Sequence, residues 1–288
     1  MSHPYSRLLK SSGSVAAVLG VIAAPWLQAK DVAETNELEQ VLVRGAYFGQ
    51  KVAAGTKTPT LLLDVPQSIS VMSAEQIQDQ AMTSIGEVMQ YTPGVSIGQG
   101  EDHRDQLTIR GQNTTADFFL DGVRDDVQYF RPLYNVERVE VLRGSNALLF
   151  GRGGGGGVVN RVTKVASATE TFTVFGASVD TFGATLATVD TNIELSDNQA
   201  LRLNAMAQGV ENHRDFKDGD RLAVNPTYSV RLSDDTQLMV SWETIDDDRV
   251  VDRGVPSFGG RPVSGFERTF FGDPALNSTT FEGDIARL

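Results

Sequence analysis

Cysteine is absent from the 288-residue chain, which excludes disulfide scaffolds, thiol nucleophiles and thiolate metal sites. A basic surplus is lacking too. Twenty-five lysines and arginines stand against 37 aspartates and glutamates, a formal charge of −12. Phosphate attraction needs a cationic footprint, so nucleic acid is excluded as a general partner. No apolar run approaches the roughly 20 residues of a spanning helix. The run at residues 15–24 has ten, so any later membrane crossing must use strands. There is no Gly-x-Ser-x-Gly around Ser145 and no His-Glu-x-x-His. Hydrolase and zinc-protease chemistry therefore have no support, and the chain reads as a non-enzyme with no metal site and no cofactor.

What is present divides into four stretches. Arg7 and Lys10 precede the apolar run, and Pro25-Trp26-Leu27-Gln28-Ala29 follows it, so residues 1–29 read as an export signal peptide. Residues 30–60 are polar and carry one short apolar patch, Val41-Leu42-Val43, which predicts a flexible arm. Residues 61–165 have a compact α+β pattern. Ser73 before Gln76 and Ser84 before Glu87 are helix-start signatures, and Ile85, Val88 and Met89 give one apolar helix face that Thr92-Pro93-Gly94 ends. Strand-like runs follow at Leu107-Thr108-Ile109, Phe118-Phe119-Leu120 and Val139-Glu140-Val141-Leu142, each stopped by turn residues. The glycines at 151–157 lead into a strand and lack a following Gly-Lys-Ser/Thr, so they predict a tight turn of positive φ and not a phosphate cradle.

Residues 171–288 change character. Leu201, Leu203, Ala205 and Ala207 alternate with Arg202, Asn204, Met206 and Gln208, and Leu222 to Val230 alternate in the same way. Period two over about ten residues is the length and pattern of a membrane strand. Leu195-Ser196-Asp197-Asn198 and Leu232-Ser233-Asp234-Asp235 are near copies of one short turn, and residues 211–221 between them form a longer polar connection. Short turns alternating with long loops predict an outer-membrane barrel wall, with a soluble β-sandwich as the alternative. Asp215, Asp218 and Asp220 lack the spacing and closing glutamate of a calcium loop and are expected in a solvated outer loop.

Six motifs, in order, resemble the N-terminal part of TonB-dependent siderophore receptors. They are Asp64-Val65-Pro66-Gln67-Ser68-Ile69, Tyr91-Thr92-Pro93-Gly94-Val95, Leu107-Thr108-Ile109-Arg110-Gly111, Phe119-Leu120-Asp121-Gly122-Val123-Arg124, the run from Val136 to Gly144, and Gly151-Arg152 with Gly156-Gly157-Val158-Val159-Asn160. The resemblance implies an α+β plug domain at 61–165, followed at 171–288 by five or six antiparallel transmembrane β-strands of an incomplete outer-membrane β-barrel. The family barrel has about 22 strands. It also implies a Gram-negative outer-membrane location, lipid contact, a ferric siderophore as transported ligand, and TonB with its inner-membrane energising complex as partner. A chain of this length is expected not to transport alone. A free periplasmic plug module that binds TonB or ligand is the alternative.

Residue by residue, the resemblance puts a TonB box at Glu37, Leu38, Glu39, Gln40, Val41, Leu42 and Val43, where an extended segment suits docking by strand addition. A plain linker is the other reading. Plug loops 98–105, 111–116 and 124–134 are expected to face outward, offering Arg104, Gln112, Tyr129, Phe130 and Arg131 to an anionic, aromatic chelate. His103 reads as a surface histidine. Arg110, Glu137, Arg138, Glu140, Arg143, Arg152 and Arg161 are candidates for a releasable latch between plug and wall, with salt bridges inside the plug as the alternative.

Overall fold

A computed structural model describes residues 51–52, 60–61, 68–144, 150–151 and 155–288. The expected signal peptide, the segment Glu37 to Val43 and Arg152 lie outside the described residues.

Two-residue strands β1 (Lys51–Val52) and β2 (Thr60–Leu61) pair with each other. Strand β3 (Ile69–Ser73) then enters helix α1 (Ala74–Asp79), whose first turn is closed by Ser73 Oγ accepting from the Gln76 N–H at 3.2 Å. Helix α2 (Ile85–Gln90) begins with a full capping box. Ser84 Oγ accepts from the Glu87 N–H, and the Glu87 carboxylate accepts from the Ser84 N–H. These reciprocal bonds satisfy two of the donors that a helix start leaves free.

Short strands complete the domain: β4 (Val95–Gly98), β5 (Gln106–Ile109), β6 (Gln112–Thr114), β7 (Phe118–Leu120), β8 (Val123–Arg124), β9 (Val136–Arg143) and β10 (Gly157–Thr163). They form a three-stranded sheet, β4-β5-β6, and a five-stranded sheet, β3-β9-β10-β7-β8, in which only β10 and β7 run parallel. Alternation along β9 puts Val139 and Val141 in a core with Ile85, Val88, Met89, Ile109 and Phe118. Leu142 goes to the opposite face, with Phe119, Phe150 and Val158. Of the glycines expected in a turn of positive φ, Gly151 has φ +88°, and Gly156 has a different reason. A Cβ on Gly156 would sit 2.1 Å from the Ile109 carbonyl oxygen, so it is close backbone approach that demands glycine there.

The second part is an antiparallel meander of β11 (Phe172–Val179), β12 (Thr185–Ser196), β13 (Gln199–Glu211), β14 (Asp218–Ser233), β15 (Thr236–Val250) and, after a small hairpin of β16 (Ser257–Phe258) and β17 (Arg261–Pro262), β18 (Ser278–Arg287). The two copied turns at 196–199 and 233–236 are tight and lie at one end, whereas the connections 180–184, 212–217 and 251–277 lie at the other. One expectation is corrected here. Asp218, Gly219 and Asp220 belong to β14, with Asp218 opposite Glu211 and with Gly219 and Asp220 opposite Arg249 and Asp248, because backbone pairing extends the strand past the membrane-length stretch.

Register decides what each face carries. Ile193, Leu201, Tyr228 and Val240 form one row, and Phe175, Val189, Ala205, Val224 and Thr244 another, both on the face turned away from the α+β domain. Leu222, Trp242 and Val240 are exposed there, at 55%, 52% and 44%. The buried face bears Asn204, Asn225, Thr227, Ser241, Glu243, Asp247 and Arg249. Apolar residues outside and polar residues inside is the reverse of a water-soluble sandwich.

Candidate functional site

The buried face of the long-strand sheet is fastened to the α+β domain by polar contacts. Tyr134 Oη and Asn135 Nδ2 both donate to Glu243 Oε1, at 3.1 and 2.9 Å, and Asn135 Nδ2 also donates to Asn225 Oδ1 at 3.0 Å. Arg287 lies 3.6 Å from both Asp121 and Glu243. Lys164 and Arg202 converge on Asp190 at 2.9 and 2.8 Å. Nearer the long connections, Tyr129 stacks on Phe281 with ring centroids 4.6 Å apart, and these two rings join Met206, Ala223 and Ile245 in a shared apolar patch. Arg249 lies over the Phe130 ring at 4.6 Å.

The residues that sequence patterns single out fare unevenly. Arg131 is buried and fully engaged: it donates to Asp105, Asp125 and the carbonyls of Asp125, Val127 and Tyr129, and packs over Phe118. Tyr129 is buried with it, donating to Asp125 at 2.9 Å and accepting from Arg161 at 2.7 Å. Burial pushes its phenol up to about 12, so it stays a neutral donor. Neither side chain is offered to a ligand, because the Asp105 and Asp125 carboxylates hold both inside the domain. Arg104 is occupied by Glu101 and Gln106. Gln112 is exposed but follows the turn at 110–111, at the opposite end of β5 from Arg104. Phe130 is half-buried at the sheet, His103 is half-buried, and Asp215 pairs with Arg268 in the connection.

The charged set also divides. Arg138 pairs with Glu140 at 2.7 Å, Asn160 donates to the same Glu140, and Arg161 binds Asp125, so these three charged residues lie inside the α+β domain and not across to the sheet. Glu137 is exposed. Arg143 donates to the Pro93 carbonyl and to Ser70 Oγ, both at 2.6 Å. Burial, and then the charge of neighbouring Arg110, pull the Arg143 pKa down. Neither guanidinium has a carboxylate partner among the described residues.

Sequence patterns missed the residues that do cross: Asp102, Asp121, Tyr134, Asn135 and Lys164 on the domain, and Asp190, Asn225, Glu243 and Arg287 on the sheet. No local signal marks them, since each pairing joins positions far apart in the chain. Also missed was the 251–277 connection, whose phenylalanines are a visible signal. Phe258, Phe266 and Phe271 are exposed, with Phe216 and Phe270 edge to face at 6.1 Å. Among the described residues no group of three His, Cys, Asp or Glu could hold a metal ion.

Comparison with known proteins places this architecture. The TonB-dependent Receptor Plug Domain family matches residues 62–158. The chain is 32% identical over 263 residues to a probable TonB-dependent receptor, BfrD, of Bordetella pertussis, covering 88% of this chain and 34% of that protein. It is 33% identical over 286 residues to the metal-pseudopaline receptor CntO of Pseudomonas aeruginosa, covering 91% and 39%. The crystal structure of the siderophore receptor PiuA from Acinetobacter baumannii superposes with a TM-score of 0.76 at 26% identity, over 83% of this chain and 35% of that one. The chain therefore spans between a third and two fifths of the length of these relatives. Residues 62–158 are a TonB-dependent receptor plug domain, and the antiparallel strands that follow it are part of a TonB-dependent receptor β-barrel.

Proposed function

We propose that the protein to which this chain belongs is an outer-membrane receptor that imports metal-loaded siderophores with energy drawn from TonB. The observation that carries this reading is the inverted sheet. Its outward face is apolar over a membrane's thickness, and its inward face is polar and holds the plug through Glu243, Asp190 and Arg287. From Leu222 to Leu232 the outward stripe of β14 runs about 34 Å along the strand, or about 26 Å along the membrane normal at a tilt of ~40°. A free plug module is the poorer fit, because separation would expose the Tyr129, Phe281, Met206 and Ile245 patch to water.

In this reading the long connections form the outer mouth and the tight turns lie on the periplasmic side. The cargo is a metal chelate, the chemistry common to the siderophore and metal-pseudopaline receptors that the chain resembles. No bond in the cargo is made or broken. The segment Glu37 to Val43 serves as the TonB box by adding a strand to its partner, after a signal peptide at 1–29 has directed export. Of the latch candidates, Arg110 and Arg143 fit a releasable lock, since two adjacent cations call for carboxylates supplied from elsewhere on the wall.

Uptake of radiolabelled metal chelates by cells producing the full-length protein tests this. Saturable uptake that disappears on deletion of TonB, or of residues 37–43, is expected. Undiminished uptake without TonB, or no uptake across ferric siderophores and pseudopaline-type chelates, overturns the reading.

A further inference from the structure

The root of the longest connection, 251–277, is bolted to the plug. Asp252 is the meeting point. Its backbone N–H donates to Asp102 Oδ2 at 3.1 Å, and its carbonyl accepts from Gln99 Nε2 at 2.7 Å, so both of its main-chain groups are held by the plug loop 99–105. Its carboxylate takes the Arg214 guanidinium from the 212–217 connection and the Gly254 N–H at 2.9 Å. Arg214 reaches on to the carbonyls of Glu267 and Thr269, at 3.1 and 2.6 Å, and so grips the far limb of the same connection. Lys217 closes the circuit by pairing with Asp102.

Three features show that this is a built joint and not a chance surface contact. Asp102, Arg214 and Asp252 are all buried, although each carries a charge. Asp102 has φ +64°, a left-handed conformation uncommon outside glycine, although aspartate enters it more readily than most side chains. Gly254, at φ +85°, passes so near Gln99 that a Cβ would come within 3.0 Å of Gln99 Oε1. Beyond the joint, Phe258 at the β16–β17 hairpin is 86% exposed, and Arg253 and Arg261 are exposed beside it.

We infer that Gln99, Asp102, Asp252 and Arg214 form a positioning joint through which the plug sets the place of connection 251–277 over the mouth. A shift of plug loop 99–105 then carries the connection and its aromatic hairpin with it, and a ligand that moves the hairpin biases the seating of the plug by the same free energy. The inference rests on the receptor reading only in taking this end as the mouth.

The 288 residues contain no cysteine, so a single Ser264→Cys change in the full-length protein admits one spin label in the exposed connection. Any cysteine outside these residues is first replaced by serine. In proteoliposomes, Asp102→Ala and Arg214→Ala should each raise the mobile-to-immobile ratio of the label roughly tenfold or more, as loss of a buried charge-assisted hydrogen bond implies. The milder Gln99→Ala change should move it in the same direction. A label at Asp234→Cys in the tight turn should not respond, which guards against general unfolding. Equal mobility at 264 in the parent, Asp102→Ala and Gln99→Ala overturns the joint, as does strict additivity of the Asp102 and Arg214 changes. The readout needs no cargo, so its failure and the failure of the import reading are separate results.

Discussion

Replacing Val240 by arginine separates a lipid-facing wall from a water-facing one. Val240 is 44% exposed on the outward face and pairs with Tyr228, whose neighbours along the stripe are Pro226 and Val230. Tyr228 lies about 20 Å along β14 from Leu222 and about 14 Å from Leu232, so the Tyr228–Val240 row is near the middle of the apolar band. Arginine at the midplane of a membrane barrel costs roughly 2–4 kcal/mol, a factor of about 30 to 700 in the folded-to-unfolded ratio at ~1.4 kcal/mol per decade. On a water-facing strand the same exchange falls within about 0.5 kcal/mol. Equilibrium unfolding of the full-length protein in lipid bilayers reads the difference, with Asp234→Arg in the tight turn as a neutral control. A Val240→Arg loss under about 0.5 kcal/mol would refute the lipid-facing assignment.

Other substitutions test the seating of the plug. Glu243→Ala removes the acceptor shared by Tyr134 and Asn135 and leaves Arg287 without one of its two carboxylates, so plug seating should weaken by about 3–5 kcal/mol. Faster protease cleavage of the plug in folded receptor reports this. Gly156→Ala forces a Cβ onto the Ile109 carbonyl and should cost more than about 2 kcal/mol, seen as loss of folded receptor; retention of parental stability would contradict the close approach. The Asp252 carboxyl is held below its ordinary range: burial opposes this, but the hydrogen bonds from Arg214 and the Gly254 N–H outweigh it. A depressed carboxyl stabilises above its unfolded pKa of about 3.9 and loses that contribution as pH falls through the folded value. The label at position 264 should therefore be unchanged from neutral pH down to about 5 and loosen only below the carboxylate range, whereas loosening already above pH 5 would contradict the role given to Asp252.

Local chemistry was legible in the sequence wherever it is written within a few residues. The Ser84–Glu87 capping box, the Ile85, Val88 and Met89 helix face and the stop at Thr92-Pro93-Gly94 all lie within residues 84–94, and the structure shows each. The period-two stripes of β13 and β14 were equally plain, because a strand shows its two faces directly. Partnerships were not legible. Arg138 and Arg161 look like latch residues from sequence, yet Arg138 pairs with Glu140 two residues along the same strand, and the loop before β9 brings Asp125 to Arg161. Tyr129 and Arg131 look like mouth residues until the fold supplies Asp105 and Asp125 to bury them. Asp102 carried no signal at all, since its partners Lys217 and Asp252 are more than a hundred positions away.

The most direct measurement is a cysteine scan along β14 from residue 222 to 230 in the full-length receptor, one position at a time, labelled and exposed to a lipid-soluble quencher. Quenching at 222, 224, 226, 228 and 230, with protection at 223, 225, 227 and 229 where the plug covers the strand, is the result this account predicts. Quenching without alternation, or confined to the odd positions, would contradict it.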